Sequence, residues 1–540
     1  MRSRLLIFHL IIFMILFSGC KNEEKTDAQN KESQPEEIAQ LTQTANLKDY
    51  VLETDTTEVY ESGEVLEFYR ENDFQPVWND QEIRAELFGF ISQIDSEGLF
   101  PEDYHYLQIE ALLNSLNQNS EKNNTRLEIL LTDASLKLIR HLASGKLNPA
   151  EIHEIWGLPL NEVQPKTVLK NAISQDRLAK TFESLSPDNP VYQGLKKALK
   201  EYDLSEFETD STTQIRPGKL IRPGESSDRL AEVGKRLTEL GLYKGSIDTI
   251  YTHKLELAVK QFQKESGLQV DGLLGNSTIT NMNMNRKDRY QQILINMERW
   301  RWYPRDLGDH YIIINIPDYR LSVIKDKDTI SNHKIMVGTR SRQTPVFSDE
   351  IEYIVYNPTW TIPPTIKSKD VIPGVRRDST YLSSRNIQVY DQNGQLVEPK
   401  EIDWSSSQAR TYTYRQRSGG SNPLGRVKII YPNKYMIYLH DTPSQALFER
   451  NTRAQSSGCV RVQNALDLAK YLLNDQEVYT SEAIEEILAS GKTKEIPVKQ
   501  DVAVYHLYWT ATLENGNLRF IDDIYNLDKP LWQKFKPDND

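Results

Sequence analysis

The spacing of apolar side chains divides the chain into three textures. Between residues 46 and 210 it is helical. In TRLEILLTDASLKLIRHLASGKLNP, Leu127, Leu130, Leu131, Ala134, Leu138 and Leu142 fall on one face, and Gly145 and Pro149 stop the run. DRLAEVGKRLTELGL repeats that period with Leu230, Val233, Leu237 and Leu240. KLELAVKQFQKESGL follows with Leu255, Ala258, Val259 and Phe262, and DGLLGNSTITNMN adds an Asp-Gly turn and a short third helix. A compact three-helix module over 228–285 is expected. From residue 309 the period shortens to two. YIIINIPDYRLSVIKD, HKIMVGT, EIEYIVYNPTWTIP and RVKIIYPNKYMIYLHDTP read as strands rich in Val, Ile and Tyr. NALDLAKYLL is an amphipathic helix. KQDVAVYHLYWTATLENGNLRFIDDIY is a hairpin about Asn515-Gly516. The expected fold class is therefore α+β and multidomain: a helical N-terminal scaffold (46–210), the three-helix module, and a β-rich domain over 309–540.

Two stretches interrupt these textures. Residues 205–227, with IRPGKLIRPG, read as a linker with turns at each Pro-Gly pair. Residues 366–425, with VIPGVRRDSTYLSSRNIQVYDQNG and RQRSGGSNPLG, separate core strands. An insertion of that length is expected to be a lid.

The N-terminus reads MRSRLLIFHLIIFMILFSGCKNEE. Arg2 and Arg4, an apolar run from Leu5 to Phe17, and Ser18-Gly19-Cys20 have the order of a secretory signal over residues 1–20. The run would rise only about 20 Å as a helix, less than a bilayer's hydrocarbon core. Its ending resembles the bacterial lipobox, with Phe17 in place of the usual Leu. That resemblance implies cleavage before Cys20 and lipidation of its thiol. Lys21, in place of the Asp that retains lipoproteins at the inner membrane, points to a periplasmic body anchored to the outer membrane. Residues 21–45 are polar and read as a disordered tether.

Composition narrows the function. The formal net charge is −12, and loss of Arg2 and Arg4 with the signal makes it more negative. Nucleic acid, which is held by neutralising phosphates, is a poor partner for such a chain. The chain has two cysteines, so with Cys20 lipidated Cys459 has no intramolecular partner. It is either a small buried apolar residue or a working thiol. His141 and His153 have no ligand-type neighbours and read as surface or packed histidines. One thiol and His440 are too few for a zinc site, and no metal or other cofactor is expected.

Around the thiol the chain reads YLHDTPSQALFERNTRAQSSGCVRV. A histidine within reach of a cysteine can take its proton. Ser456, Ser457 and Gly458 add little bulk, and backbone N–H groups there can face a developing oxyanion. Arg461 can hold a carboxylate. His-x-Thr-Pro followed by Ser-Ser-Gly-Cys-Val-Arg-Val resembles the signature of L,D-transpeptidases with a YkuD-type catalytic domain. Ser457 in place of the common His or Arg resembles the family's large multidomain branch, as do MERWRWYPRDLGDHYIIINIPDYRL and NPTWTIPPTIKSKDVIP. AVKQFQKESGLQVDGLLGNSTI resembles the peptidoglycan-binding domain family.

The resemblance implies residue roles. Cys459 is the nucleophile toward a tetrapeptide stem, His440 the base, and the Gly458 and Cys459 N–H groups the oxyanion donors. Tyr438 is a positioning group, Ser457 and Arg461 bind substrate, and Trp360 and Tyr381 are channel or lid aromatics. The implied partners are peptidoglycan donor and acceptor stems, the membrane through Cys20, and other cell-wall synthases. Three readings stay open: a transpeptidase making 3–3 cross-links with release of D-alanine, a hydrolase or L,D-carboxypeptidase using the same thiol, and a non-catalytic wall-binding lipoprotein. The module is either a wall binder or a spacer.

Overall fold

The computed structural model describes residues 47–52, 59–115, 121–201, 212–474, 476–514 and 516–537. The signal, Cys20 and the tether lie outside the described residues. Among the described residues the N-terminal region is built mainly from helices α1 (Ser62–Arg70), α2 (Gln81–Ser92), α3 (Tyr106–Ser115), α4 (Glu121–Ser144), α5 (Pro165–Ser174), α6 (Leu178–Leu185) and α7 (Pro190–Leu199). Helix α4 is its axis. The apolar face expected from spacing is buried, and so is much of the opposite face. There the Glu128 carboxylate accepts from the Val77 N–H (2.6 Å), the Trp78 N–H (3.2 Å) and the Tyr69 hydroxyl (3.0 Å). Asp133 accepts from the Glu61 N–H (2.7 Å) and pairs with His105 Nε2 at 2.6 Å. Buried carboxylates satisfied by several donors can occupy an interior position without an apolar side chain. His141 and His153 are both packed. His141 Nδ1 meets the Tyr104 hydroxyl at 2.8 Å, and His153 lies against Trp156, Trp302 and Tyr508.

The module consists of α8 (Arg229–Glu239), α9 (His253–Glu265) and α10 (Asn276–Asn283) around its own core. That core also takes Ile215 and Ile221, and Ile221 bridges Leu274. Residues 212–227 are therefore part of the module, where the Pro-Gly pattern reads as a linker. Two isolated apolar side chains show no period, and only the partner surface reveals why they are apolar.

Helix α11 (Arg286–Trp302) follows, with an Asn285–Asp288 capping box at its start. It carries Glu298, Arg299 and Arg301 yet is buried from Gln292 onward. Arg301 pairs with Glu298 (3.1 Å) and Arg299 with Asp528 (2.7 Å). Glu298 also accepts from the Leu147 N–H (2.8 Å), which ties α11 to the helical region.

Strands β1 (Trp156–Gly157), β2 (His310–Asn315), β3 (Arg320–Lys325), β4 (Asp328–Gly338), β5 (Val346–Glu350), β6 (Tyr353–Tyr356), β7 (Trp360–Thr361), β8 (Ile387–Tyr390), β9 (Leu396–Val397), β10 (Thr413–Gln416), β11 (Val427–Ile430), β12 (Leu439–His440), β13 (Ala454–Ser456), β14 (Val460–Val462), β15 (Lys494–Pro497), β16 (Ala503–Leu507), β17 (Ala511–Glu514) and β18 (Asn517–Phe520) complete the β structure. The main sheet runs β1-β5-β16-β2-β3-β4-β14-β12-β11-β6-β15, with β13 beside β4. Helices α12 (Ala465–Leu472), α13 (Ser481–Ala489) and α14 (Asp528–Phe535) accompany it. Strand β1 comes from the helical region and pairs in parallel with β5. One hydrophobic core runs through both regions, so the helical region and the β-rich domain pack as one body. The insertion between β6 and β11 forms a separate four-stranded sheet, β7-β10-β8-β9, with its own core that includes Ile362, Val389 and Tyr414.

Candidate active site

The topology of the main sheet brings His440 and Cys459 together. Strand β12 ends at His440 and pairs in parallel with β14, which begins one residue after Cys459, so His440 stands opposite Arg461. Both residues line a cavity of about 290 Å³ with Tyr435, Met436, Tyr438, Ser456, Ser457 and Arg461. Trp360, Pro363, Thr365 and Ile366 cover it from the insertion, and Pro423 and Leu424 close one side. Tyr381 lies elsewhere. Its ring packs against Gly374 and under the Arg385 guanidinium (4.0 Å) within the insertion's own core. It belongs to the insertion and does not line the cavity.

The loop before the thiol is tightly bonded. The Gly458 φ is +121°, a region that favours glycine, and its carbonyl accepts from the Thr344 hydroxyl at 2.7 Å. The Gly458 N–H donates to Ser456 Oγ at 3.1 Å, and that hydroxyl donates to the Cys459 carbonyl at 2.5 Å. The Gly458 N–H thus bonds within the loop, at the place where the resemblance implies an oxyanion donor. The side chain that absorbs it, Ser456, is one the sequence shows only as a small residue.

The thiol donates to the Met436 carbonyl (3.6 Å) rather than to His440. Tyr438 lines the cavity beside the sulfur, where its backbone N–H and hydroxyl favour the thiolate, and Trp360 lies beside it. Burial pushes the Cys459 thiol up; these two donors and the charges of Lys428 and Arg461 oppose it. Burial and the nearby Arg461 charge hold His440 down to about 3, so its imidazole is neutral. His440 Nδ1 lies 2.5 Å from the Asp441 carbonyl. A carbonyl only accepts, so Nδ1 carries the proton and Nε2 keeps a lone pair. A neutral base and a protonated thiol facing one cavity can exchange a proton as a substrate binds.

Three charged residues that sequence reasoning missed stand around this pair. Arg342, in the turn after β4, donates to Ser457 Oγ (2.9 Å) and meets Asp370 of the insertion at 3.3 Å. Lys428, on β11, holds its ammonium 3.8 Å from the Tyr438 ring centroid. The available signal for Lys428 is the one charge in the otherwise apolar strand VKII. No comparable signal marks Arg342 or Asp370, which lie far apart in sequence. Among the described residues no cluster of metal-ligating side chains is present.

Three family models match the chain. Residues 63–199 match a scaffold domain, 226–282 a "Putative peptidoglycan binding domain", and 309–480 the L,D-transpeptidase catalytic domain. A "Putative L,D-transpeptidase" of Haemophilus influenzae is 38% identical over 242 residues, 45% of this chain and 49% of that protein. A "Spore cortex-lytic enzyme" of Oceanobacillus iheyensis is 35% identical over 72 residues, 13% of this chain and 26% of that protein. The chain thus spans about half the length of the first relative and about a quarter of the second. The L,D-transpeptidase of Stackebrandtia nassauensis overlaps 57% of this chain and 100% of its own, at 12% identity and a TM-score of 0.19. Residues 309–480 belong to the L,D-transpeptidase catalytic-domain family, in a chain that joins this domain to a scaffold domain and a peptidoglycan-binding domain.

Proposed function

We propose that the chain is a peptidoglycan L,D-transpeptidase that forms 3–3 cross-links through a thioester on Cys459. The observation that carries this reading is the shared cavity: a half-buried thiol, a neutral imidazole, and Tyr438 beside the sulfur. As a donor tetrapeptide enters, the Cys459 proton moves to His440 Nε2. The sulfur attacks the carbonyl of the third stem residue. Charge on the carbonyl oxygen falls to the Cys459 N–H and the Tyr438 hydroxyl, with Lys428 and Arg461 as flanking positive charges. The C–N bond breaks, His440 gives its proton to the departing amine, and D-alanine leaves. The side-chain amine of an acceptor stem attacks the thioester and loses a proton to His440, which returns it to the thiolate. Ser457 and Arg461 bind stem carboxylates and amides, and Trp360 lines the donor's path.

The remaining assignments rest on sequence. Lipidation of Cys20 would anchor the protein to the outer membrane and hold the body in the periplasm, with the tether reaching toward the wall. The module would hold the enzyme on peptidoglycan, and other cell-wall synthases are natural neighbours there.

The test is incubation of the chain lacking residues 1–20 with purified tetrapeptide muropeptides, beside Cys459→Ser, read by mass spectrometry. Cross-linked dimers that have lost one D-alanine, absent in Cys459→Ser, are expected. Tripeptide monomers alone would replace the transferase with a hydrolase. No product at all would leave a wall-binding protein without catalysis.

A further inference from the structure

The register of the main sheet aligns a row of side chains that the reaction above uses only in part. His440 on β12 stands opposite Arg461 on β14 and, on its other side, opposite Lys428 on β11. Directly opposed residues in adjacent strands share a face, about 5 Å apart. The imidazole is therefore flanked by a guanidinium and an ammonium. The row continues through Val355 on β6 to Glu495 on the edge strand β15. The Lys428 ammonium, 3.8 Å from the centre of the Tyr438 ring, lies on this same face, and the Tyr438 and His440 rings are 5.7 Å apart. Among the described residues no hydrogen bond or ion pair holds Lys428; its ammonium rests on the Tyr438 ring.

We infer that Lys428 is a positioning residue for this chemistry: its ammonium, seated on the Tyr438 ring, holds that ring in place and sets a positive charge beside Cys459 and His440. The inference rests on the thiol reading proposed above and deepens the part Lys428 plays in it. The placement accounts for a lysine on an otherwise apolar strand, where burial disfavours its charged form. An ammonium on an aromatic face is attracted to the ring without taking the hydrogen-bond sites of its hydroxyl. The Tyr438 hydroxyl still favours the thiolate, while the cation adds positive potential at the sulfur. The same cation beside His440 opposes imidazolium formation at rest. Once the thiol proton has moved to His440, the thiolate formed compensates the added charge. The groups facing the row are Cys459, Tyr438 and Arg461 on the cavity side, Glu495 at the sheet edge, and Asp441 behind the ring. The Asp441 carboxylate is turned to the Arg426 N–H and to Gln445.

The test is the pH dependence of iodoacetamide alkylation of the full chain, read by mass spectrometry on the peptide that contains Cys459. Lys428→Met keeps the stem and removes the charge. It is expected to raise the half-alkylation pH by about one unit and to slow alkylation at neutral pH several-fold. Lys428→Arg is expected to return the titration close to that of the unmodified chain. An unchanged titration in a folded Lys428→Met overturns the inference, and so does a Lys428→Arg that shifts as far as Lys428→Met. If Lys428→Met does not fold, Glu495→Gln is the second variant. It removes the negative charge at the exposed end of the row and at low ionic strength is expected to lower the half-alkylation pH; no shift, or a rise, overturns the inference. The unmodified chain's failure to form any muropeptide product would be a separate result. It would count against the proposed function and leave the alkylation comparison to judge Lys428.

Discussion

The site pairs a raised thiol with a depressed imidazole. His440 is held down to about 3, so its base form persists far below neutrality. Alkylation of Cys459 in the free enzyme should therefore show no inflection near pH 6.5, and should climb with pH through and beyond the ordinary thiol range. A stopped-time alkylation series checks this. Replacing His440 by Gln removes the proton acceptor and is expected to lower turnover by about 10²–10⁴-fold with the fold intact. Cys459, His440 and Arg461 were legible in the sequence because the motif carries them in one short run. Lys428 was not, because its neighbours Tyr438 and His440 reach it only through strand pairing. The Gly458 N–H bond to Ser456 escaped for a related reason: a Ser hydroxyl can bond within its own loop, and composition does not show that it does.

At the scale of elements, the insertion and helix α4 each make a distinct prediction. The insertion has its own sheet and core, and meets the loop before the thiol through Asp370, Arg342 and Ser457. Both partners of that ion pair are partly exposed, so Asp370→Asn should change stability by less than about 1 kcal/mol. Its effect is expected in the KM for the donor rather than in melting temperature. Hydrogen exchange should slow across residues 366–425 when donor is added; unchanged protection would count against a lid. In α4, burial raises the Glu128 carboxyl to about 7. The folded pKa lies above the unfolded one. This group's contribution to stability is therefore complete below pH 4.5 and is lost as pH rises through 7, by about 3 kcal/mol. Glu128→Gln should flatten the pH dependence of thermal unfolding between pH 5 and 8. The existence of α4 and of an insertion followed from apolar period and spacing. The burial of α4's polar face did not, because it depends on the loop at residues 72–78 folding back onto it.

Across the whole molecule, the helical region and the β-rich domain share one core, while the module keeps its own. Calorimetry should show the first two unfolding in a single transition. The junction is held by α11, whose Glu298 and Arg301 are fully buried. Glu298→Ala strands the Arg301 charge and should cost about 3–5 kcal/mol. Helix α11 defied the apolar period because its interior positions are filled by paired charges. Strand β1 left no signal because two residues cannot establish one.

Strand β1 also bears on how this catalytic fold can be shortened. Trp156 and Gly157 cover Val346 and Phe347, and a Cβ at Gly157 would come within 2.7 Å of Phe347 Cβ and 2.5 Å of the Tyr435 hydroxyl. Tyr435 lines the cavity that holds Cys459. A polypeptide begun at residue 309 would lose this cover, bare the backbone of β5, and present a ready template for strand addition by other copies. The catalytic motif travels in sequence as a portable cassette, but a gene trimmed to that cassette would yield a sticky sheet whose cavity has lost one of its supports.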